Sequence, residues 1–315
     1  MTSNIFIDGE HGTTGLQIKE RLAGRKDITL CSLAEEDRKN PAKKKELLSE
    51  MDLAILCLPD QAAKETWELA KDLDCKLIDA STAHRVHDQW TYGLPELEPG
   101  QRERIHEAKW VSNPGCYPTG FLLLLAPLLR LGLLPKDANI STHAISGYSG
   151  GGKNLIAQYE AKSPGREGWN IRPYGLNLQH KHVPEMRKYS GLDELPNFSP
   201  MVGNFPQGML VQVPLNQSQL AAGKKLGEII EIWQESYQDE GMIRLLGLNP
   251  IDQLEEGFLP PDSLAGSNLA ELMAWGHEEQ LLLTARLDNL GKGASGACVQ
   301  NMNLMLGFEE KRGLL

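Results

Sequence analysis

Hydrophobic positions in the first third of the chain fall into two alternating patterns. Asn4–Ile7 holds a short apolar run, and Thr14–Ala23 spaces Leu16, Ile18 and Leu22 among polar residues as one face of a helix. Ile28–Ser32 is again strand-like. Asp52–Leu58 is almost continuously apolar and stops at Pro59, the pattern of a parallel strand buried on both faces. Gln61–Lys71 has helical spacing, and Cys75–Asp79 and Lys109–Val111 are short strands. This alternation predicts an α/β domain with a doubly wound, mostly parallel sheet.

The texture changes after residue 116. Glycine- and proline-rich loops at 146–152, 164–175 and 196–208 separate strand-like pieces such as Met209–Pro214 and Glu279–Asp288, and Leu226–Tyr237 has a helical pattern. A second, α+β domain with a mixed or antiparallel sheet is expected. The boundaries follow: a nucleotide-binding domain over 1–116, completed by a C-terminal helix over 290–315, and a catalytic and oligomerisation domain over 117–289. A length of 315 residues also favours two domains over one.

Composition narrows the function. A net charge of −10 argues against sequence-independent binding to nucleic acid or to an anionic membrane. One basic stretch, 36–46, reads either as a solvated loop and helix start or as an anion site. Five widely spaced cysteines without a CxxC pair suit reduced thiols and a cytoplasmic location better than disulfides or zinc. No charged leader precedes the first strand, and no apolar run approaches about 18 residues, so neither a signal peptide nor a membrane span is expected.

The first strand runs into Asp8-Gly9-Glu10-His11-Gly12-Thr13-Thr14-Gly15. Gly9, Gly12 and Gly15 permit a tight turn and close approach to a pyrophosphate, and Thr13 and Thr14 open a helix whose N-terminus favours an anion. A turn serving packing alone is the plain alternative; its place after the first strand favours a Rossmann-type dinucleotide site. An NAD-selecting site would usually end the second strand in Asp or Glu. Here Ser32 stands there and Arg38 follows, which suits a 2′-phosphate and makes NADP(H) the expected cofactor. Glu35 and Glu36 lie close enough to compete. Ser81 and Arg85, in Asp79-Ala80-Ser81-Thr82-Ala83-His84-Arg85, follow the carboxyl end of a strand, where open α/β sheets bind ligands. A second glycine string, GxGxxG at 291–296, leaves only about 20 residues, too few for another βαβ unit. The final helix is instead expected to return to the first domain, bringing Asn289 near the nicotinamide.

Cys116 stands at a strand-to-helix corner in Ser112-Asn113-Pro114-Gly115-Cys116-Tyr117-Pro118-Thr119-Gly120, ahead of the apolar run Phe121–Leu125. Helix N-terminal amides and dipole favour thiolate over thiol, as a nucleophile requires. A cysteine buried as a small hydrophobe is the alternative. Proton-carrier candidates are His180 and His182 in His180-Lys181-His182-Val183-Pro184-Glu185. A metal pair is disfavoured because no third ligand has sensible spacing; ordinary loop histidines remain an alternative. Ser146, Ser149 and Gly150, in Ser146-Gly147-Tyr148-Ser149-Gly150-Gly151-Gly152-Lys153, form either a nest for a phosphate or oxyanion or a plain glycine-rich turn. The spacing is not that of a P-loop.

Taken together, IDASTAHR at 78–85, YGLPEL at 92–97, SNPGCYPTG at 112–120, SGYSGGGK at 146–153, HKHVPEM at 180–186 and NLGKGASGACVQNMNLMLG at 289–307 resemble the shorter form of the N-acetyl-γ-glutamyl-phosphate reductase family. Semialdehyde dehydrogenases of the aspartate type look like more distant relatives. The resemblance implies NADPH-dependent reduction of a small acyl-phosphate substrate in arginine biosynthesis, through a thioester on Cys116, in a homodimer or homotetramer. His182, ahead of His180, is the implied acid/base, with Glu185 orienting it. Arg85, Asn113, Ser146, Ser149 and Gly150 are implied on the substrate. Residues 160–178, including Arg166, Arg172 and Tyr174, are less diagnostic for its α-carboxylate. Two rivals stand beside this reading: the related reductase of lysine biosynthesis, whose carrier-bound substrate calls for a basic docking face, and an idle NADP-binding redox sensor acting through Cys116.

Overall fold

The computed structural model describes residues 2–162 and 168–314. The chain divides into two compact units: Met1–Pro95, Gly100–Pro114 and Ala294–Leu315 in one, Glu96–Pro99 and Gly115–Gly293 in the other.

The first unit alternates β1 (Ser3–Asp8), α1 (Thr13–Leu22), β2 (Ile28–Cys31), α2 (Pro41–Leu48), β3 (Leu53–Leu56), α3 (Asp60–Ala70), β4 (Lys76–Asp79), β5 (Thr91–Tyr92), α4 (Gln101–Glu107) and β6 (Trp110–Ser112). Among the described residues its sheet has the order β2-β1-β3-β4-β6-β5, with every pairing parallel. This is the doubly wound sheet expected from the alternation. Its central strands are apolar throughout because both faces are covered: Ile5, Leu53, Ile55, Leu77 and Ile78 have no exposed surface. The chain leaves β1 for β2 on one side and returns to β3 on the other, which makes the carboxyl ends of β1 and β3 a topological switch point. The basic stretch holds α2, started by Asn40, whose Oδ1 accepts from the Ala42 and Lys43 amides.

The second unit contains α5 (Cys116–Arg130), β7 (Ser141–Gly147), α6 (Gly152–Glu160), β8 (Ile171–Pro173), α7 (Val183–Ser190), β9 (Asn197–Gly203), β10 (Met209–Asn216), α8 (Glu228–Tyr237), β11 (Ile243–Leu248), β12 (Ala270–His277) and β13 (Gln280–Leu287). Its mixed sheet runs β11-β12-β13-β10-β7-β9-β8. Helix α5 is the centre of the core, with Phe121, Leu122, Leu123, Leu124 and Leu125 all fully buried. Gly120 lets it press on Val211 of β10 and Ala285 of β13. Helix α8 is tied to it by the Trp233 indole, donating to the Leu124 carbonyl at 3.0 Å, and the Tyr237 hydroxyl, donating to that of Leu123 at 2.8 Å.

Stretches read from sequence as loops carry more order than composition suggested. Strand β9 lies inside 196–208, β8 inside 164–175, and β7 reaches into 146–152. Pro200 masked β9, yet its carbonyl accepts from the Tyr174 amide just past the last β8 pair, so its ring nitrogen faces an edge where no donor is needed.

The last helix, α9 (Gly296–Met305), belongs to the first unit and packs on α1, α4 and β4. Arg25 donates to Asn303 Oδ1 at 2.7 Å, and Asn301 Nδ2 donates to the Gly93 carbonyl at 2.8 Å. The second glycine string forms a π-helical turn, Gly291–Ser295, that opens this helix.

Candidate active site

In the first unit the glycine turn joins β1 to α1 at the switch point. Gly9 adopts φ +91°, and a Cβ there would strike the Cys57 carbonyl, so only glycine fits. The turn closes by Gly12 N–H donating to Gly9 O at 2.9 Å, Gly12 caps α1, and Thr13 and Thr14 form its first turn with Gly15 buried behind them. A cavity of about 940 Å³ opens there, lined by residues of this unit including Gly9, Glu10, Gly12, Arg38, Lys39 and Lys44. At its wall Lys44 Nζ sits 2.6 Å from Asp8 Oδ2, and Thr66 donates to the same oxygen.

Ser32 follows the end of β2, and Arg38 lies beyond the 3₁₀ turn Glu35–Asp37. Both reach the carboxylate of Glu10 rather than Glu35 or Glu36 alone: Ser32 Oγ donates to it at 3.3 Å, and Arg38 Nη2 stands 3.9 Å away. Beyond β4, Asp79 accepts from the Ser81 amide and hydroxyl at 2.8 and 2.9 Å and lies 2.7 Å from His84 Nδ1, which fixes Ser81 against the strand end. Arg85 is buried, its Nε donating to the Asn113 carbonyl at 2.9 Å; Asn113 Nδ2 donates in turn to the Ala294 carbonyl.

The second unit holds Cys116 and the two candidate histidines. Cys116 is the first residue of α5, with Gly115 as the cap. His182 caps α7, its amide donating to His180 Nδ1 at 3.1 Å, and the two rings meet edge-on at 4.7 Å. Pro184 in the first turn of α7 starts that helix. Glu185 is buried and its Oε2 accepts from the Gly115 amide at 3.2 Å, so α7 holds the first turn of α5 in place. Ser149 Oγ accepts from Asn289 Nδ2 at 3.0 Å, and Asn289 Oδ1 accepts from the Gly208 amide at 2.9 Å; the Asn289 side chain is thus engaged within this unit, with Gly150 beside it.

Sequence reasoning left three members of this cluster without a role or with a weak one. Tyr117 lies edge-on or tilted to both histidines, at 5.9 and 5.8 Å, and its hydroxyl accepts from that of Tyr174 at 3.2 Å, with Ser146 also in reach. Burial pushes the Tyr174 phenol up to about 12 and the Tyr117 phenol up as well, so both stay protonated donors; a charged Cys116 adds to that push. Gly293 is the third: its backbone lies against Cys116. The aromatic residue after a candidate nucleophile was a usable signal; Gly293 gave none, because its closeness depends on the return of the chain from β13. Arg166 lies outside the described residues, and Arg172 is exposed with its guanidinium 3.9 Å over the Trp169 ring.

The other four thiols are all disfavoured as thiolates. Burial pushes Cys57 and Cys75 up to about 12, and raises Cys298 and Cys31. No group of three His, Cys, Asp or Glu among the described residues is placed to hold a metal ion. No helix among them is long and apolar enough to cross a membrane.

A glycine turn of dinucleotide-binding type thus lies in the first unit, and a cysteine opening a helix, with paired histidines, lies in the second. Residues 14–108 match the semialdehyde dehydrogenase NAD binding domain, and residues 116–289 the semialdehyde dehydrogenase dimerisation domain. The chain belongs to the semialdehyde dehydrogenase family. Within it, curated N-acetyl-gamma-glutamyl-phosphate reductases of Brucella ovis and Brucella canis are each 50% identical over 311 residues, covering 98% of this chain and 100% of theirs. The structure of aspartate semialdehyde dehydrogenase II from Vibrio cholerae matches with a TM-score of 0.73 at 16% identity, covering 98% of this chain and 99% of that one. The aspartate semialdehyde dehydrogenase of Francisella tularensis matches at 0.71 and 15%, over 97% and 100%. At such identity these two establish the fold alone.

Proposed function

We propose that this chain is an NADPH-dependent reductase of N-acetyl-γ-glutamyl phosphate, releasing N-acetylglutamate 5-semialdehyde for arginine biosynthesis, with Cys116 as nucleophile. The observation that carries this is one unit holding both Cys116 at the N-terminus of α5 and the ring pair of His180 and His182, the latter capping α7, in a chain half identical to curated reductases of that name. An oligomer of identical chains in the cytoplasm accompanies this reading.

The residues divide the work. The thiolate of Cys116 attacks the acyl carbon; the C–O bond to phosphate breaks, and phosphate leaves with the electron pair. The resulting thioester accepts hydride far more readily than a carboxylate would. Reduced nicotinamide, when bound, supplies that hydride. Hydride addition leaves a tetrahedral oxyanion, which His182, carrying the proton taken from the Cys116 thiol, protonates to the thiohemiacetal. His182 then takes that proton back, the C–S bond breaks toward sulfur, and the aldehyde departs. A positioned base of this kind contributes about 10²–10⁴-fold. In the first turn of α5 the Gly115 amide donates to Glu185 and that of Thr119 closes on Gly115 O; in this reading the helix N-terminus, through the Tyr117 amide, holds the oxyanion. Ser146, Ser149 and Gly150, with Arg85 and Asn113, bind the substrate in this reading.

Gly9, Gly12, Thr13, Thr14 and Gly15 would hold the pyrophosphate, since a side chain at Gly9 would fill the approach. Ser81 and Asn289 would lie toward the nicotinamide half. Ser32 and Arg38 would take the 2′-phosphate. The test is steady-state reduction with free N-acetyl-γ-glutamyl phosphate: NADPH should exceed NADH in kcat/KM, and Arg38→Ala should narrow the gap. Equal values for the two cofactors in the wild type refute the 2′-phosphate assignment; turnover only with a carrier-bound substrate refutes the reductase assigned.

A further inference from the structure

Glu10 stands second in the glycine turn, where a solvated side chain would be unremarkable. Its carboxylate is instead only 13% exposed and is ringed by donors of the first unit. Lys19 Nζ, from the second turn of α1, lies 2.8 Å from Oε2; Ser32 Oγ donates to the same oxygen at 3.3 Å; Arg38 Nη2 and His11 Nε2 stand 3.9 and 3.7 Å from Oε1. Lys19 holds the Glu10 carboxyl below its ordinary range, so it is charged at any working pH.

Two of these partners, Ser32 and Arg38, are the hydroxyl and guanidinium assigned above to the 2′-phosphate. One hydroxyl hydrogen cannot serve two anions, and a phosphate seated there would meet the carboxylate across a short gap. We infer that Glu10 is a specificity-determining residue that occupies the 2′-phosphate subsite as an internal anion: it holds Lys19, Ser32 and Arg38 together and must swing aside when a 2′-phosphate enters. This inference rests on the NADP(H) reading. Glu10 also stands in the place of the acidic residue that a 2′-hydroxyl would use, so it narrows the margin between phosphorylated and unphosphorylated dinucleotide from both directions. Lys39 also lines the cavity.

The test is equilibrium binding by calorimetry of 2′,5′-ADP and of 5′-AMP, which differ by that phosphate, to wild type and Glu10→Gln. The amide keeps the side-chain length and an acceptor for Ser32 but removes the charge. Glu10→Gln should bind 2′,5′-ADP about tenfold more tightly, equal to about 1.4 kcal/mol, while 5′-AMP affinity is unchanged or falls. Unchanged or weaker 2′,5′-ADP binding, in a protein whose wild type prefers 2′,5′-ADP, overturns the inference and leaves the cofactor reading intact. A wild type that binds 5′-AMP as tightly as 2′,5′-ADP removes the cofactor reading itself, and the inference with it.

Discussion

Gly293→Ala tests how tightly the nucleophile is set. A Cβ on Gly293 would lie 2.6 Å from Cys116 Cβ, 3.2 Å from Cys116 Cα and 3.0 Å from the Asp288 carbonyl oxygen. Ordinary van der Waals contact begins at 3.4 Å, so the two backbones must part by about 0.8 Å. Neither side yields easily. Asp288 accepts from the Leu290 and Gly266 amides at 2.9 and 2.6 Å, Gly293 N–H donates back to Asp288 O, and neighbouring Lys292 is locked to Glu96 at 2.6 Å with both side chains fully buried. On the other side α5 is anchored by Trp233 and Tyr237. Overpacking of this kind costs about 1–3 kcal/mol, and an ångström of displacement at a reacting group costs on the order of 10²-fold in rate. Steady-state kcat and the rate of Cys116 alkylation by iodoacetamide should both fall, kcat by about 10- to 100-fold, with the stability loss read from urea denaturation. A Gly293→Ala protein with wild-type kcat and alkylation rate refutes the reasoning.

Four further outcomes follow from the same structure. Stoichiometric iodoacetamide at neutral pH should label Cys116 alone and abolish turnover, because burial suppresses the other four thiols; peptide mapping that finds Cys57 or Cys298 modified first contradicts this. Glu185→Ala strands the buried Gly115 amide and should cost about 1–3 kcal/mol in denaturant unfolding, together with slower turnover; wild-type values for both would remove Glu185 from the site. Lys292→Ala takes the cation away from the buried Glu96 carboxyl, for a loss of about 3–5 kcal/mol; a change under about 1 kcal/mol contradicts the pairing. Asp27 is held down to about 2, first by Arg25 and also by Arg312. Because its folded value is depressed, the stability it adds is present above its ordinary 3.8 and lost as pH falls toward about 2, so Asp27→Asn should flatten the acid limb between pH 4 and 2 in circular dichroism.

The parallel sheet and the cysteine corner were legible because local pattern dictates both. Leu53–Leu56 is apolar at every position since both faces are covered, and Phe121–Leu125 is apolar all round since α5 is enclosed. The glycine spacing at 9, 12 and 15 and Pro184 after the histidines are equally local signals. What escaped depends on pairing across long separations. Nothing near Asn197–Gly203 announces a strand until β7 supplies its partner, because Pro200 and Gly203 read as loop residues. Glu10 reads as a turn residue until Lys19, Ser32 and Arg38 close on it, and the pairing of Lys292 with Glu96, 196 positions apart, has no local signal.

The most direct measurement is intact-protein and peptide mass spectrometry of the enzyme mixed with N-acetyl-γ-glutamyl phosphate in the absence of any dinucleotide. An N-acetylglutamyl adduct should appear on Cys116 with release of one phosphate per chain, and should vanish when NADPH is added. An unmodified Cys116 in a preparation that turns over normally with NADPH, or a Cys116→Ala protein that retains full turnover, contradicts the account.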